Sequence, residues 1–288
     1  MDGNDFILQS RIDETFVQDI RAILKPEQFF IEEPMSRHTT FKIGGPADYL
    51  IFPASMQEVT QVFALTQQHG IPLTILGNGS NVLVLDKGIR GAVMKFNSQC
   101  SSLRHEGNMI FASAGALLKD VSKYAAACGL TGLEFAVGIP GSIGGAVFMN
   151  AGAYDGEMKN VVHGVHAVAS NGRAVYYTAA EIDFGYRHSA FQENGQAICE
   201  VELELVPGDR SSIEGQMTDL TQRREKKQPL EMPSAGSTFK RPEGHFAGTL
   251  IESTGLKGFR VGGDAFALLL THKIQKWRPS LNRDAMHA

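Results

Sequence analysis

The hydrophobic residues of this chain follow two spacings, one typical of strands and one typical of helices. Residues 199–205 alternate strictly between apolar side chains and glutamates, which predicts a half-buried strand. The apolar runs 165–169 and 174–177 flank the turn pair Asn171-Gly172, which predicts a β-hairpin. Further short runs are predicted as strands at 39–43, 73–76, 82–85, 92–96 and 109–114.

Helical spacing appears in four other segments. Residues 5–30 carry apolar side chains at helical intervals and reach a stop at Pro26. A second helix follows Ser55, which forms a capping box with Glu58, and ends at Gly70. Residues 118–128 and 212–228 give an amphipathic and a polar helix. Because strands and helices follow one another in both orders, we expect an α+β fold.

Composition places the chain among ordinary globular proteins. It has 288 residues, 43% hydrophobic and 20% charged, which is enough for about two domains. A net charge of −4 gives no electrostatic footprint for nucleic acid. No uninterrupted apolar run is long enough for a membrane span, and the acidic start does not fit a signal peptide. Three scattered cysteines predict a reducing cytoplasm with neither disulfides nor a metal site.

Two glycine clusters are the main candidates for a binding site. Glycine lets several backbone N–H groups approach one phosphate, and a pair of such loops suits a diphosphate. Neither cluster has the spacing of a dinucleotide-binding fingerprint or of a P-loop. Tight turns and a nucleotide cofactor therefore both remain open. The candidate cofactor-binding residues are Gly77, Asn78, Gly79, Ser80 and Asn81 in the first cluster, and Gly138, Gly141, Ser142, Gly144, Gly145, Asn150 and Gly152 in the second.

Two smaller motifs carry candidate chemistry for an anionic substrate. Arg187 follows Tyr186 among aromatic residues, where a guanidinium can hold a carboxylate with two hydrogen bonds. Ser237 places a hydroxyl beside Gly236, and Lys240 follows closely, as a phosphorylated substrate would need. By contrast, His163 and His166 have no Cys or carboxylate in register, so a structural role is favoured over metal binding.

Taken together with the stretch of residues 37–45, these motifs resemble the UDP-N-acetylenolpyruvoylglucosamine reductase family in one unbroken order from about residue 30 to Gly263. The resemblance implies a two-lobed FAD-binding fold of the PCMH (vanillyl-alcohol-oxidase) type, followed by a smaller α+β substrate domain. The short stretch between Lys240 and Gly248 is similar to the subgroup without an extra tyrosine loop. The implied domains are a helical segment at 1–29, the FAD-binding domain at 30–208 with lobes of about 30–97 and 98–208, and the substrate domain at 209–288.

The resemblance also implies a reaction. Such enzymes use NADPH and non-covalent FAD to convert UDP-N-acetylglucosamine enolpyruvate into UDP-N-acetylmuramate, a cytoplasmic step in peptidoglycan precursor synthesis and hence in cell-wall growth and division. By resemblance, Arg187 stabilises developing charge, Ser237 donates a proton, and Lys240, together with Tyr186, binds substrate. We expect no nucleic-acid partner, no membrane and no obligate protein partner.

The resemblance ends abruptly after Gly263. The family continues with a stretch that bears a catalytic glutamate, whereas this sequence has no glutamate after Glu252. This favours a second hypothesis, an FAD-binding relative impaired in reducing the substrate. A third, a sugar-oxidising flavoenzyme, is disfavoured because residues 77–81 contain no His or Cys that could tether the flavin.

Overall fold

The computed structural model describes residues 12–228, 230–237, 239, 242, 244–256, 260, 261, 264 and 265. The predicted substrate residue Lys240 lies outside the described residues, as do most positions after Leu256. Within the part of the chain that the structure describes, no helix combines the length and apolar character needed to cross a bilayer.

The first part of the chain forms a four-stranded sheet with two helices on one face. The elements are α1 (Glu14–Ile23), β1 (Phe29–Pro34), β2 (Pro46–Ile51), α2 (Met56–Gln68), β3 (Leu73–Leu76) and β4 (Ile89–Lys95). Strand β1 runs antiparallel to β2, and β2 and β3 both run parallel to β4, so the sheet order is β1-β2-β4-β3. The three parallel strands therefore end at the same edge.

The next part forms a five-stranded antiparallel sheet. The elements of this part are β5 (Leu103–Glu106), β6 (Met109–Ser113), α3 (Leu118–Ala127), β7 (Leu130–Thr131), α4 (Ile143–Phe148), β8 (Gly152–Ala153), β9 (Gly156–Glu157), β10 (Val162–Val168), β11 (Ala174–Thr178), α5 (Phe191–Asn194) and β12 (Ala197–Glu204). The order of the strands in the sheet is β11-β10-β12-β6-β5. The central strand β12 pairs Val201 with Ala112 of β6 and with Val165 of β10.

The last part begins with a long polar helix that packs onto the second sheet's helices. Ile213, Met217 and Leu220 of this helix form a small core with Ala126 and Val137. The elements are β13 (Val206–Pro207), which pairs with β7, then α6 (Arg210–Lys227), α7 (Ala247–Ser253), β14 (Arg260–Val261) and β15 (Asp264–Ala265).

Two larger cores lie on opposite faces of the first sheet. The main core joins α1, α2 and the second sheet through residues such as Phe16, Met94 and Val201. A second core forms on the opposite face, where Leu76 and Val93 pack with residues of the loops around the sheet's end. These loops carry the first glycine cluster, so the second core supports it.

Most of the sequence-predicted elements are confirmed, and two strands are wrong. The strand over 199–205, the hairpin at Asn171-Gly172 and the four helices all form. Residues 39–43 instead form turns, with Lys42 at a positive φ of 57°. Residues 82–85 form a loop whose Val84 enters the second core, while Leu85 is exposed. Both segments have strand-like side chains but no partner strand beside them among the described residues.

His69 joins the first two helices through two carboxylates. Its Nε2 lies 2.8 Å from Asp19 Oδ2, and its Nδ1 lies 3.3 Å from Asp13 Oδ2. The hydrogen bond with Asp19 raises the pKa of His69 the most; burial lowers this pKa by less, and the hydrogen bond with Asp13 raises it further. Only the protonated ring can donate to both carboxylates at once.

This contact makes stability depend on pH. A raised pKa in the folded state means that the stabilisation is complete below the ordinary histidine pKa of about 6.5 and is lost as pH rises through the folded pKa. We expect His69→Gln to lower the free energy of unfolding at about pH 6, where the ring is protonated in the folded protein. The loss should be much smaller at about pH 9, where the ring is neutral. Denaturant unfolding of His105→Gln, whose ring contacts Tyr124, is the control. A deficit that is the same at both pH values would contradict the account.

Candidate active site

The first glycine cluster lies at the end of β3, where the parallel strands finish. Gly79 is buried and has a positive φ of 74°. Its carbonyl accepts a hydrogen bond of 3.1 Å from the Thr40 backbone N–H, and an added Cβ would overlap the His38 carbonyl oxygen. Position 79 therefore requires glycine both for its backbone conformation and for the close approach of the 38–40 turn.

The second glycine cluster begins with a loop and continues into α4. Ser142 caps this helix, with its Oγ accepting from the Gly145 N–H at 3.4 Å. The Leu118 N–H donates to Gly141 O at 2.8 Å, which ties the loop to the start of α3. A Cβ on Gly144 would lie 2.9 Å from Ala114 Cβ, so glycine lets the short helix pack closely against the end of β6.

The structure brings the two clusters together on one surface. The Asn78 Nδ2 donates to the Pro140 carbonyl at 2.9 Å, which joins the first loop to the second. A Cβ on Gly77 would lie 2.5 Å from Ser142 Oγ. The Gly141 position faces Ser80 with only ordinary contact, 3.8 Å between its added Cβ and Ser80 Oγ. The two clusters are far apart in sequence but adjacent in the fold, and together they form a single surface, which we call the cradle.

This cradle has the donors that a diphosphate needs. Among the described residues, the backbone N–H groups of Gly79 and Ser80 donate to no acceptor of the chain. Because these N–H groups make no hydrogen bond within the described chain, they are available to the oxygens of a phosphate. The residues therefore fit the diphosphate of a nucleotide cofactor, as the sequence predicted from their composition.

Asn150 and Gly152, at the end of the second glycine cluster, are the residues to which Arg187 is attached. Asn150 is buried, and its side chain bonds Glu157, the Gly185 carbonyl and the Lys159 N–H. The Arg187 guanidinium donates to the carbonyls of Asn150 at 3.4 Å and Gly152 at 3.3 Å. These are long bonds to neutral groups, so the guanidinium keeps donors for a stronger, charged acceptor.

Tyr186 lies beside Arg187 at the surface. Its side chain is 59% exposed, and its ring centre lies 5.8 Å from the Arg187 guanidinium carbon. Arg187 has a positive φ of 56°, and its carbonyl accepts a hydrogen bond from the Gln192 side chain. The Gln192 contact fixes the backbone of the loop, and the bonds to Asn150 O and Gly152 O fix the guanidinium.

Ser237 is placed next to the first glycine cluster by the segment that precedes it. The Ser234 N–H donates to Thr40 O at 3.2 Å, and the Thr40 hydroxyl donates to Ser234 O at 2.6 Å. Gly236 has a φ of 83°, and a Cβ there would lie 2.8 Å from Asn81 Oδ1. Ser237 itself is exposed. Ser237 therefore follows a segment anchored to Thr40, whereas Arg187 is anchored to Asn150 and Gly152.

Sequence reasoning missed two cations that lie behind the glycine clusters. Lys95 is buried at the end of β4, and its Nζ donates to His38 O at 2.7 Å. Arg224, on α6, lies beside the second cluster: its Cδ would be 2.8 Å from a Cβ added to Gly138. Burial lowers the pKa of Arg224, and its Nε has no hydrogen-bond partner among the described residues. A single lysine in the otherwise apolar run 92–96 was the available signal for the first.

The expectation that no carboxylate lies in register with His163 and His166 is wrong, because both histidines contact glutamates of the paired strand β12. His163 Nδ1 lies 3.2 Å from Glu204 Oε2, and His166 Nε2 lies 2.9 Å from Glu202 Oε1. Across the residues that the structure describes, no group of three or more His, Cys, Asp or Glu side chains is arranged to hold a metal ion.

Two family models match the chain. One is described as an FAD binding domain and matches residues 47–177, which include both glycine clusters. The other is described as the UDP-N-acetylenolpyruvoylglucosamine reductase C-terminal domain and matches residues 228–272, which include Ser237 and extend past Gly263.

Individual proteins give the same result over most of the chain. A UDP-N-acetylenolpyruvoylglucosamine reductase of Clostridium perfringens is 52% identical over 239 residues, which are 83% of this chain and 78% of that protein. The crystal structure of the corresponding reductase (MurB) from Thermus caldophilus superimposes with a TM-score of 0.73 at 34% identity, covering 85% of this chain and 86% of that one. A glucose dehydrogenase, Phl p 4.0202, matches with a TM-score of 0.53 at 13% identity over 68% of this chain and 44% of its own, which is a likeness of fold alone.

Proposed function

Because the chain belongs to the UDP-N-acetylenolpyruvoylglucosamine reductase family, we propose that it reduces UDP-N-acetylglucosamine enolpyruvate to UDP-N-acetylmuramate with FAD and NADPH. The reaction supplies a precursor of peptidoglycan. The observation that carries the proposal is the single cradle formed by the two glycine clusters, with the Ser237 segment attached to one and Arg187 to the other. The three scattered cysteines favour the reducing cytoplasm as the place of the reaction.

The cradle provides the groups that would hold FAD. The backbone N–H groups of Gly79 and Ser80 and the short side chains of Asn78 and Ser142 would surround the diphosphate. FAD, when bound there, supplies hydride transfer from NADPH to C3 of the enolpyruvyl group, chemistry that no side chain can perform. Residues 77–81 contain no His or Cys that could tether the flavin, which supports a cofactor held without a covalent bond.

Arg187 would hold the carboxylate of the enolpyruvyl group. Hydride addition at C3 leaves negative charge at C2, and this charge spreads into the carboxylate. A guanidinium already fixed by Asn150 O, Gly152 O and the loop at Gln192 needs no reorientation to stabilise it. The exposed ring of Tyr186 lies where it would line the substrate's path to Arg187.

Ser237 would donate the proton that C2 requires. Its hydroxyl is carried by the Ser234–Gly236 segment, which two hydrogen bonds to Thr40 fix beside the first cluster. A hydroxyl is a weak acid, so the alkoxide that remains needs stabilising donors or cations. Lys240, three residues further along, is proposed to bind the UDP diphosphate of the substrate.

Flavin content tests the proposal at its simplest. Purified protein should be yellow, and denaturation should release one FAD per chain into solution. Protein that is colourless and takes up no added FAD would contradict the proposal. Flavin that stays attached to the denatured chain would contradict the non-covalent assignment.

We expect Arg187→Lys to lower kcat/KM for the enolpyruvyl substrate by about tenfold, because lysine keeps the charge but not the two-pronged hydrogen bonding. Flavin reduction by NADPH should be unchanged. Arg104→Lys, on the outer face of the second sheet over Phe111, is the matched control. An equal loss in both variants, or a loss confined to the NADPH step, would argue against a role for Arg187 at the carboxylate.

A further inference from the structure

Lys95 is a buried cation for which the structure shows no counter-charge. Its side chain is 8% exposed, and burial lowers its pKa to about 8. Among the described residues, no carboxylate lies within 4.0 Å of its Nζ, and the His38 carbonyl is its one hydrogen-bond partner. An ammonium removed from water without an opposite charge is costly, so such a residue needs a reason to be there.

The position of Lys95 places that charge behind the first glycine cluster. Lys95 is the last residue of β4 and pairs with Leu76, the last residue of β3, after which the glycine loop begins. Side chains alternate along a strand, and Lys95 shares its face with Val93, which belongs to the second core on the loop side of the sheet.

One carbonyl group separates the ammonium from the turn itself. The His38 oxygen that accepts from Lys95 Nζ at 2.7 Å is the same oxygen that an added Cβ on Gly79 would overlap. Gly79 in turn bonds Thr40 through its own carbonyl. The Lys95 ammonium therefore lies directly behind the turn that presents the N–H groups of Gly79 and Ser80.

We propose that Lys95 is the counter-charge for the diphosphate of FAD, holding a positive potential behind the Gly79 turn that attracts the cofactor. The inference rests on the proposed placement of the diphosphate at the glycine clusters. Backbone N–H groups supply hydrogen bonds but no net charge, whereas the ammonium supplies a full charge in a poorly hydrated place where its field is weakly screened.

A purely structural role gives a different expectation. If Lys95 served only to hold the His38 carbonyl, a neutral donor at position 95 would preserve FAD binding. If it supplies charge, the neutral donor fails and a cation is required. Lys95→Gln keeps a donor without charge, Lys95→Met removes both, and Lys95→Arg keeps the charge, so the three variants separate the two roles.

FAD affinity, measured by titrating FAD-stripped protein at low salt, is the test. We expect the dissociation constant of FAD to rise about ten- to a hundredfold in both Lys95→Gln and Lys95→Met. Lys95→Arg should stay within a few-fold of the parent. Lys123→Gln, an equal charge change on the exposed face of α3, should have no effect. The FAD-free Lys95→Met protein should be as stable to denaturant as the parent, since it loses an unpaired buried charge.

Several outcomes would overturn the proposal. These are parent-like FAD affinity in Lys95→Gln, an equal loss of affinity in Lys95→Arg, or a loss of stability in Lys95→Met with FAD affinity unchanged. If Lys95→Met does not fold, Lys95→Gln and Lys95→Arg decide: FAD affinity should fall in the first and stay within a few-fold of the parent in the second. An equal FAD affinity in these two variants would overturn the proposal, whereas a parent that binds no FAD would instead remove the proposed function itself.

Discussion

Replacing Ser237 with alanine should slow reoxidation of the reduced flavin by the enolpyruvyl substrate by at least about 10², the low end for loss of a positioned general acid. The rate of flavin reduction by NADPH should remain nearly unchanged, because that step does not involve protonation of C2 of the enolpyruvyl group. The segment before Ser237 is held by Thr40 and Ser234 through their backbone and hydroxyl groups, so the substitution leaves the anchoring contacts in place. Stopped-flow absorbance measures both half-reactions separately.

Two further variants make this result specific. Ser237→Thr keeps a hydroxyl and should recover part of the lost rate. Ser101→Ala, which removes an exposed hydroxyl bonded to Ser98 O, should have no effect on either half-reaction. If Ser237→Ala slowed both half-reactions equally, Ser237 would have a role in folding or in cofactor binding rather than in proton donation.

Gly79→Val should abolish FAD uptake. The backbone at position 79 has a φ of 74°, which a β-branched residue rarely adopts, and the new side chain would overlap the His38 carbonyl oxygen. The 38–40 turn and the first glycine cluster would have to separate, and the unpaired N–H groups would lose their common orientation. Absorbance after incubation with excess FAD and gel filtration measures the bound flavin.

Gly107→Val is the control that separates the effect of backbone strain at a positive φ from the effect of a steric clash with a neighbouring segment. Gly107 also has a positive φ, 58°, but a Cβ there would meet nothing within 4 Å. We expect this variant to lose some stability, roughly 1–2 kcal/mol for the backbone conformation, and to bind FAD normally. Full FAD occupancy in Gly79→Val would show that the first cluster does not contribute to the cofactor site.

The alternation of apolar and polar side chains predicted a strand correctly where that strand lies between two partner strands. Residues 199–205 become β12, which has β10 on one side and β6 on the other, so its apolar face is buried as the pattern requires. The same pattern was insufficient at 39–43 and 82–85. There the backbone is drawn into turns by contacts that the sequence does not reveal, such as Gly45 N–H donating to Leu85 O and Thr40 bonding both Gly79 and Ser234.

The candidate site likewise has features that the sequence predicts and features that only the fold reveals. Composition alone indicated that both glycine clusters suit a diphosphate, since Gly, Asn and Ser are recognisable in any order along the chain. The bridge from Asn78 to Pro140 depends on tertiary packing between distant segments, and no local pattern predicts it. Lys95 was missed for a related reason: a lone lysine at the end of an apolar strand looks like a solvent-exposed terminus until the fold buries it.

The most direct test is anaerobic reoxidation of the NADPH-reduced protein by UDP-N-acetylglucosamine enolpyruvate. The account predicts that the absorbance of oxidised flavin returns with one equivalent of this substrate, and that UDP-N-acetylglucosamine without the enolpyruvyl group has no effect. Flavin that is reduced by NADPH but stays reduced in the presence of the enolpyruvyl substrate would contradict the account, and would favour an FAD-binding relative impaired in the second half-reaction.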